Sequence, residues 1–405
     1  MNSSECKPAL TVGFLNVLMI SADSTLAMDK DKVIGDSQDR HILYGRYLSK
    51  LFIVVRSRKD QNRKMRKLSD NVVVYPTGSR KTLSFIWDAH RISKRICRGN
   101  KIDVITTQDP LFTGLVGYML SRKFKIPLNV QLHGNYLNNE FWLKESKLNF
   151  LFNILGNYIA KRADSIRVVA DRIGNGLASR LNIPPEKFTT LPVFTDIDKF
   201  VNSQKVNLRE KYLEFENFIL FVGRLTPTKN IEVLLIAARK VLDKCPKTLF
   251  LIAGNGKMRE EWERFACQLE IEQNVSFEGT VSHENIPSYY QSCDLLVLPS
   301  KHEGWPRVVT EALACRKPVI VSDACAISEF VINGECGFTF QSHNPQILAE
   351  QIIYLLQNPQ VRNEMGKKGR ECVKETMDIN KNAYKNAELY RKTIELARID
   401  KCQSG

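Results

Sequence analysis

Two carboxylates frame a short turn in the segment KHEGWPRVVTEALACRKPVI, residues 301–320, where Glu303 precedes Gly304-Trp305-Pro306 and Glu311 follows eight positions after Glu303. Pro306 suits the first position of a helix, where its missing N–H is not needed and its φ is preset. RVVTEALAC then carries apolar residues at helical spacing. Glu303 projects from the loop, and Glu311 lies about 7 to 8 Å along the axis from the helix start at a rise of 1.5 Å per residue. Carboxylate, helix N-terminus and carboxylate are three stations for one ligand. A sugar joined through a pyrophosphate to a ribose fits them, because carboxylates accept bonds from hydroxyls of both sugars. The free N–H groups of the helix end take the negative charge between.

Such a ligand needs a scaffold that brings loops together. Short β-rich apolar runs alternate with helical patterns through the chain: LNVLMI, LFIVVRS, NVVVYP, DVITTQ, LNVQLH, SIRVVA and TTLPV first, then FILFVG, TLFLIAG, VSFEG, DLLVLPS and PVIVSD. Continuous apolar strands separated by helices predict parallel sheets covered on both faces. Ligands bind beyond the carboxyl ends of such strands. The loops there carry Gly223-Arg224-Leu225 with Lys229, then Gly254-Asn255-Gly256, then Glu303 to Pro306, then ACAISE ending at Glu329. Arg224 and Lys229 are two cations beside a helix start. Gly254 and Gly256 let backbone approach a ligand or simply turn the chain.

Composition narrows the classes. The chain has 405 residues, 43% hydrophobic and 25% charged, which fits a folded protein of two compact domains. The polar stretch FTDIDKFVNSQKVNLREKYLEFEN reads as the linker, giving domains 1–200 and 201–375 and a terminal helix over 376–405. Apolar stretches reach only about a dozen residues, too short to cross a bilayer, and ALTVGFLNVLMI reads as a first buried strand rather than a signal peptide. Ten cysteines without any C-x-x-C pair exclude the usual zinc spacings and fit a reducing cytoplasm. The formal charge is +15, and residues 51–100 hold 13 Lys or Arg against 3 Asp. That segment could meet an anionic lipid face or serve as a solvated surface. No nucleic-acid signature accompanies it.

The stretches FVGRLTPTKN, LIAGNGKMREEWE, NVSFEGTVSHENIPSYYQSCDLLVLPS and EGWPRVVTEALACRKPVIVSDACAISEFV, in order over about 120 residues, resemble the donor half of the retaining glycosyltransferases of family 4, the group 1 family. The resemblance implies a GT-B fold: α/β, two Rossmann-like doubly wound parallel-sheet domains facing a cleft, with a C-terminal helix crossing back to the first domain. It implies a nucleotide diphosphate sugar donor, a hydroxyl acceptor, and neither metal nor cofactor. By resemblance Arg224 and Lys229 hold the diphosphate, the backbone of Gly304, Trp305 and Pro306 meets sugar and phosphate, and Glu311 holds the ribose. Glu303 stabilises positive charge at the anomeric carbon. In the first domain, Gly35-Asp36 stands where the family has a glycine-rich loop, and His133 where a family histidine reaches the donor sugar. The expected setting is cell-envelope polysaccharide or glycolipid synthesis at the inner face of the plasma membrane.

The pattern departs from the family at Arg316, at Cys325-Ala326 and at Thr195-Asp196-Ile197-Asp198, where glycines or Asn-Gly are usual. These departures leave open a catalytically silent or altered nucleotide-sugar-binding protein, and a GT-B isomerase or phosphorylase is the other alternative. Asp196-Ile197-Asp198 also spells the D-x-D of metal-dependent transferases. It lies in the polar linker rather than after a strand, so no metal site is assigned to it.

Overall fold

The computed structural model describes residues 15–29, 37–57, 64–201, 208–282 and 284–403. Gly35 and Asp36 lie outside them.

The first apolar runs, with the polar segment RKLS at one edge, form one sheet of eight strands. They are β1 (Asn16–Ser21), β2 (Lys50–Val55), β3 (Arg66–Ser69), β4 (Val72–Pro76), β5 (Val104–Thr107), β6 (Leu128–Leu132), β7 (Ser165–Val168) and β8 (Phe188–Thr190). The order is β3-β4-β2-β1-β5-β6-β7-β8, with β1 parallel to β2 and β5 and only β3 shown antiparallel, on β4. β1, β2 and β5 are almost wholly buried, as strands covered on both faces must be. The second sheet holds β9 (Asn217–Val222), β10 (Thr248–Ala253), β11 (Val275–Gly279), β12 (Leu295–Leu298), β13 (Val319–Ser322) and β14 (Gly337–Phe340). Its order is β11-β10-β9-β12-β13-β14, and every pairing is parallel. The order reverses direction beside β9, and the loops after β9 and β12 start at that switch point.

Two compact units divide the chain: residues 1–131, 155–167 and 383–405 in one, and 132–154 and 168–382 in the other. This places 132–154 and 168–200 with the second sheet's unit, whereas the sequence division keeps 1–200 together and cuts again at 375. The helix Ile379–Gln403 contributes Ala387, Leu389 and Tyr390 to the first unit's core beside Val17, Met19, Leu51 and Ile53. A polar row threads the same unit. Thr106 Oγ1 donates to Asn129 Oδ1, Asn129 Nδ2 to Ser165 Oγ, and Arg167 Nη1 to Gln131 Oε1, each within 2.9 Å. Ser165 Oγ and Thr393 Oγ1 share a hydrogen bond of 2.7 Å, tying the terminal helix to β7.

Candidate functional site

The site is built where the loops after β9 and β12 meet. After β9, a 3-10 turn Pro227–Lys229 passes through Asn230, at φ 55°, into the helix Ile231–Leu242. Asn230 Nδ2 donates to the Pro299 and Ser342 carbonyls at 3.2 and 2.8 Å, and the Lys301 N–H to the Thr228 carbonyl at 2.8 Å. These bonds fasten the two loops side by side. Lys229 Nζ consequently meets the Glu303 carboxylate in an ion pair, with the side chains only 16% and 23% exposed. Arg224, in the same loop, has an exposed side chain.

Gly254 and Gly256 serve this same apposition. Gly254 sits at φ 148° and its N–H donates to the Gly279 carbonyl at 2.7 Å. A Cβ on Gly254 would overlap the Gly223 carbonyl, and one on Gly256 the Leu225 carbonyl. The Leu225 N–H donates to the Asn255 carbonyl at 3.0 Å. The absence of side chains here is used by the neighbouring loop's own backbone.

The Glu303 loop is held from both sides. Its carbonyl accepts the Ala326 N–H at 2.9 Å, and Glu303 forms an isolated parallel bridge with Cys325. Cys325 and Ala326 are buried, and neither has a left-handed φ, so non-glycine residues fit there without strain. Within the second unit, Gly304 lies against His133 and Gly134: a Cβ on it would stand 2.5 Å from the His133 carbonyl and 2.9 Å from Gly134 Cα. The His133 backbone and Gly304 are therefore neighbours.

Trp305 turns its side chain away into the protein. It is 8% exposed and meets Phe330 edge-on with centroids 5.2 Å apart. Pro306 has ψ 114° and is the cap preceding the helix Arg307–Ala314, one residue earlier than its expected place as the first helical residue. Extended backbone is what a cap requires, and the Pro306 carbonyl accepts the Val309 N–H at 3.1 Å.

Glu311 follows in the helix, 8% exposed. Tyr290 Oη donates to Glu311 Oε2 at 2.7 Å, and Arg307 Nε stands 3.9 Å from Oε1. Tyr290 is fully buried; burial, and next the Glu311 charge, push its hydroxyl well above the ordinary phenol range, so it stays a donor. Sequence reasoning missed both Tyr290 and Arg307. The i,i+4 spacing of Arg307 and Glu311 was the available signal for one; nothing local marks Tyr290 as a carboxylate's partner.

The remaining predicted residues lie elsewhere. Arg316 ends the helix at φ 59°, where the Lys317 N–H reaches the Ala312 carbonyl at 3.0 Å and the Arg316 N–H the Leu313 carbonyl at 2.9 Å. That is a Schellman ending, and it explains a usual glycine by helix termination rather than by phosphate contact. Thr195 Oγ1 bonds Thr310 Oγ1 at 3.0 Å, and Asp198 begins the short helix Asp198–Val201 with its side chain exposed. Among the described residues, no three His, Cys, Asp or Glu side chains gather as a metal site. No helix there is long and apolar enough to cross a membrane.

Comparison with known proteins bears on the same residues. The model for Glycosyl transferases group 1 matches residues 204–372, and that for Glycosyltransferase Family 4 matches 46–199. An uncharacterised glycosyltransferase of Methanocaldococcus jannaschii is 29% identical over 293 residues, covering 72% of this chain and 76% of its own. Sucrose-phosphate synthase from Thermosynechococcus elongatus superposes with a TM-score of 0.77 at 20% identity, over 93% of this chain and 98% of that one. An Anabaena protein solved with UDP-glucose superposes with a TM-score of 0.70 at 19% identity, over 92% and 98%. With its two parallel-sheet domains and both halves matched, the chain belongs to the group 1 glycosyltransferases of GT-B fold.

Proposed function

We propose that this glycosyltransferase moves a hexosyl-type sugar, with retention and without a metal, from a nucleotide diphosphate sugar to a hydroxyl. The observation that carries the reading is the Lys229–Glu303 ion pair beside the start of the Arg307–Ala314 helix, with Glu311 one turn further in. The UDP-glucose bound in the Anabaena structure supports a donor of this chemical class.

Donor binding changes the partner of Lys229. A diphosphate between Arg224, Lys229 and the N–H groups following Pro306 receives its counter-charge from the protein, so no divalent cation is needed. Lys229 then shifts from Glu303 to the phosphate. The freed Glu303 carboxylate faces the anomeric carbon as the leaving group departs and positive charge develops there. Glu311, held by Tyr290, accepts from the ribose hydroxyls with its remaining lone pairs. His133, at the strand end against Gly304, borders the sugar's place. The acceptor in this reading is lipid-linked, in envelope glycan synthesis on the cytoplasmic side, with the basic 51–100 segment toward an anionic surface.

Mass spectrometry after mixing the protein with a panel of nucleotide sugars tests the activity. Slow release of free sugar and nucleotide from one donor is expected. Binding without turnover by every donor would leave a silent nucleotide-sugar-binding protein instead. Retention is read from the anomeric configuration of the first product.

A further inference from the structure

The first unit presents an outward face that the sugar chemistry does not use. In the helix Thr82–Gly99, Leu83, Trp87, Arg91, Lys94 and Arg98 recur at spacings of 4, 4, 3 and 4, which places them within about 80° of one helix face. Leu83 is 78% exposed and Trp87 75%. Lys94 contacts Lys123 of the neighbouring helix Phe112–Phe124, and Lys123 with Arg98 holds the Lys94 ammonium below the usual lysine range. Next to Lys123, Arg122 lines a cavity of about 480 Å³ together with Lys125 and Arg162. Two carboxylates nearby are already engaged. Asp88 pairs with Arg91 at 3.1 Å, and Asp164 in the cavity accepts the Leu128 N–H at 2.7 Å.

We infer that this face is the docking surface for an anionic bilayer: the cavity ringed by Arg122, Lys125 and Arg162 receives a lipid phosphate, while Trp87 and Leu83 enter the interface. The inference rests on the reading of a lipid-side acceptor and moves the contact from the 51–100 segment as a whole to one helix face and a cavity beside it. Two complementarities select the occupant. Crowded cations gain from a surface of fixed negative charge. An indole and an isobutyl group left in water gain from the headgroup boundary, where tryptophan is favoured. A soluble phosphate would satisfy the cavity alone and leave Trp87 and Leu83 unexplained.

Flotation of the full chain with vesicles, without donor or acceptor, separates this inference from the enzymatic one, since neither outcome depends on turnover. Capture is expected by phosphatidylcholine vesicles containing phosphatidylglycerol at low salt, and not by phosphatidylcholine alone. Arg122→Gln with Lys125→Gln should lower the partition coefficient by roughly fivefold per cation removed. The exposed substitution Trp87→Ser should lower it without changing the melting midpoint. Tryptophan emission should shift to the blue on anionic vesicles in the unmodified chain and not in Trp87→Phe. Equal capture by neutral vesicles, undiminished capture of the folded variants, or stabilisation by inorganic phosphate without vesicle capture would overturn the inference.

Discussion

Glu303 and Glu311 are both carboxylates beside one helix, yet their surroundings assign them different work. Glu303 shares its charge with Lys229, a cation that a diphosphate can take away. Glu311 is fixed by a neutral phenol with no reason to leave. Glu311→Ala should therefore weaken donor binding by roughly 1.5 to 3 kcal/mol, the range for hydrogen bonds to a charged acceptor. Glu303→Gln should lower kcat more than it raises KM, because its charge matters most when the anomeric carbon becomes cationic. Steady-state kinetics showing the reverse pattern would overturn the two roles. Tyr290→Phe probes the support beneath Glu311. It leaves a buried carboxylate oxygen short of a donor, and a stability loss of about 1 to 3 kcal/mol by denaturant titration is expected. If the proposed donor site is right, with counter-charge from Arg224, Lys229 and the helix end, turnover should persist in excess EDTA. Activity that vanishes and returns with manganese would mean the phosphate site is misassigned.

At the scale of elements, the helix Arg307–Ala314 is fixed at each end by a different device. Pro306 caps its start, and Arg316 closes its end in a left-handed conformation that costs a non-glycine residue on the order of 1 kcal/mol. Arg316→Gly should raise stability by about that amount. Donor affinity should stay unchanged, because Arg316 is about 13 to 14 Å along the axis from the helix start at 1.5 Å per residue. Calorimetry reads the first expectation and a donor titration the second. Much of the scaffold was legible in the sequence because continuous apolar runs such as FILFV and DLLVL alternate with helical patterns, which points to parallel sheets covered on both faces. β3, reading RKLS, and β14, reading GFTF, were not. Both are four-residue edge strands: β3 is polar, and the two alternating phenylalanines of β14 are too short a run to mark a strand. The site was legible where spacing along one loop and helix sufficed, as for Glu303 and Glu311. It was illegible where a partner arrives from another helix, as Tyr290 does, or where the backbone that two glycines admit comes from a neighbouring loop, as at Gly254 and Gly256.

At the scale of the whole molecule, the first unit is assembled from three separated segments, and its last part is made at the end of the chain. Ser165 and Thr393 bond across 228 residues, but loop-closure entropy grows only logarithmically with length, so the distance along the chain is a modest cost. What the terminal helix adds is larger. Tyr390 is 1% exposed in the core, and with Tyr44 it lies beside Arg167, whose guanidinium burial pushes below its ordinary range. Without the helix, that cation and the Thr106–Asn129–Ser165 row would lose their cover and the apolar faces of β1 and β2 their neighbours. Tyr390→Ala should cost about 3 to 5 kcal/mol, the range for emptying an aromatic site in a core. Thr393→Val should cost about 1 to 3 kcal/mol, because it removes the bond to Ser165 while keeping the shape. Removing residues 383–405 should give a chain that retains helical circular dichroism, binds a hydrophobic dye and has lost near-ultraviolet signal, as loose packing predicts. A truncated chain with native near-ultraviolet signal and no dye binding would mean that the helix covers the first sheet without completing its core.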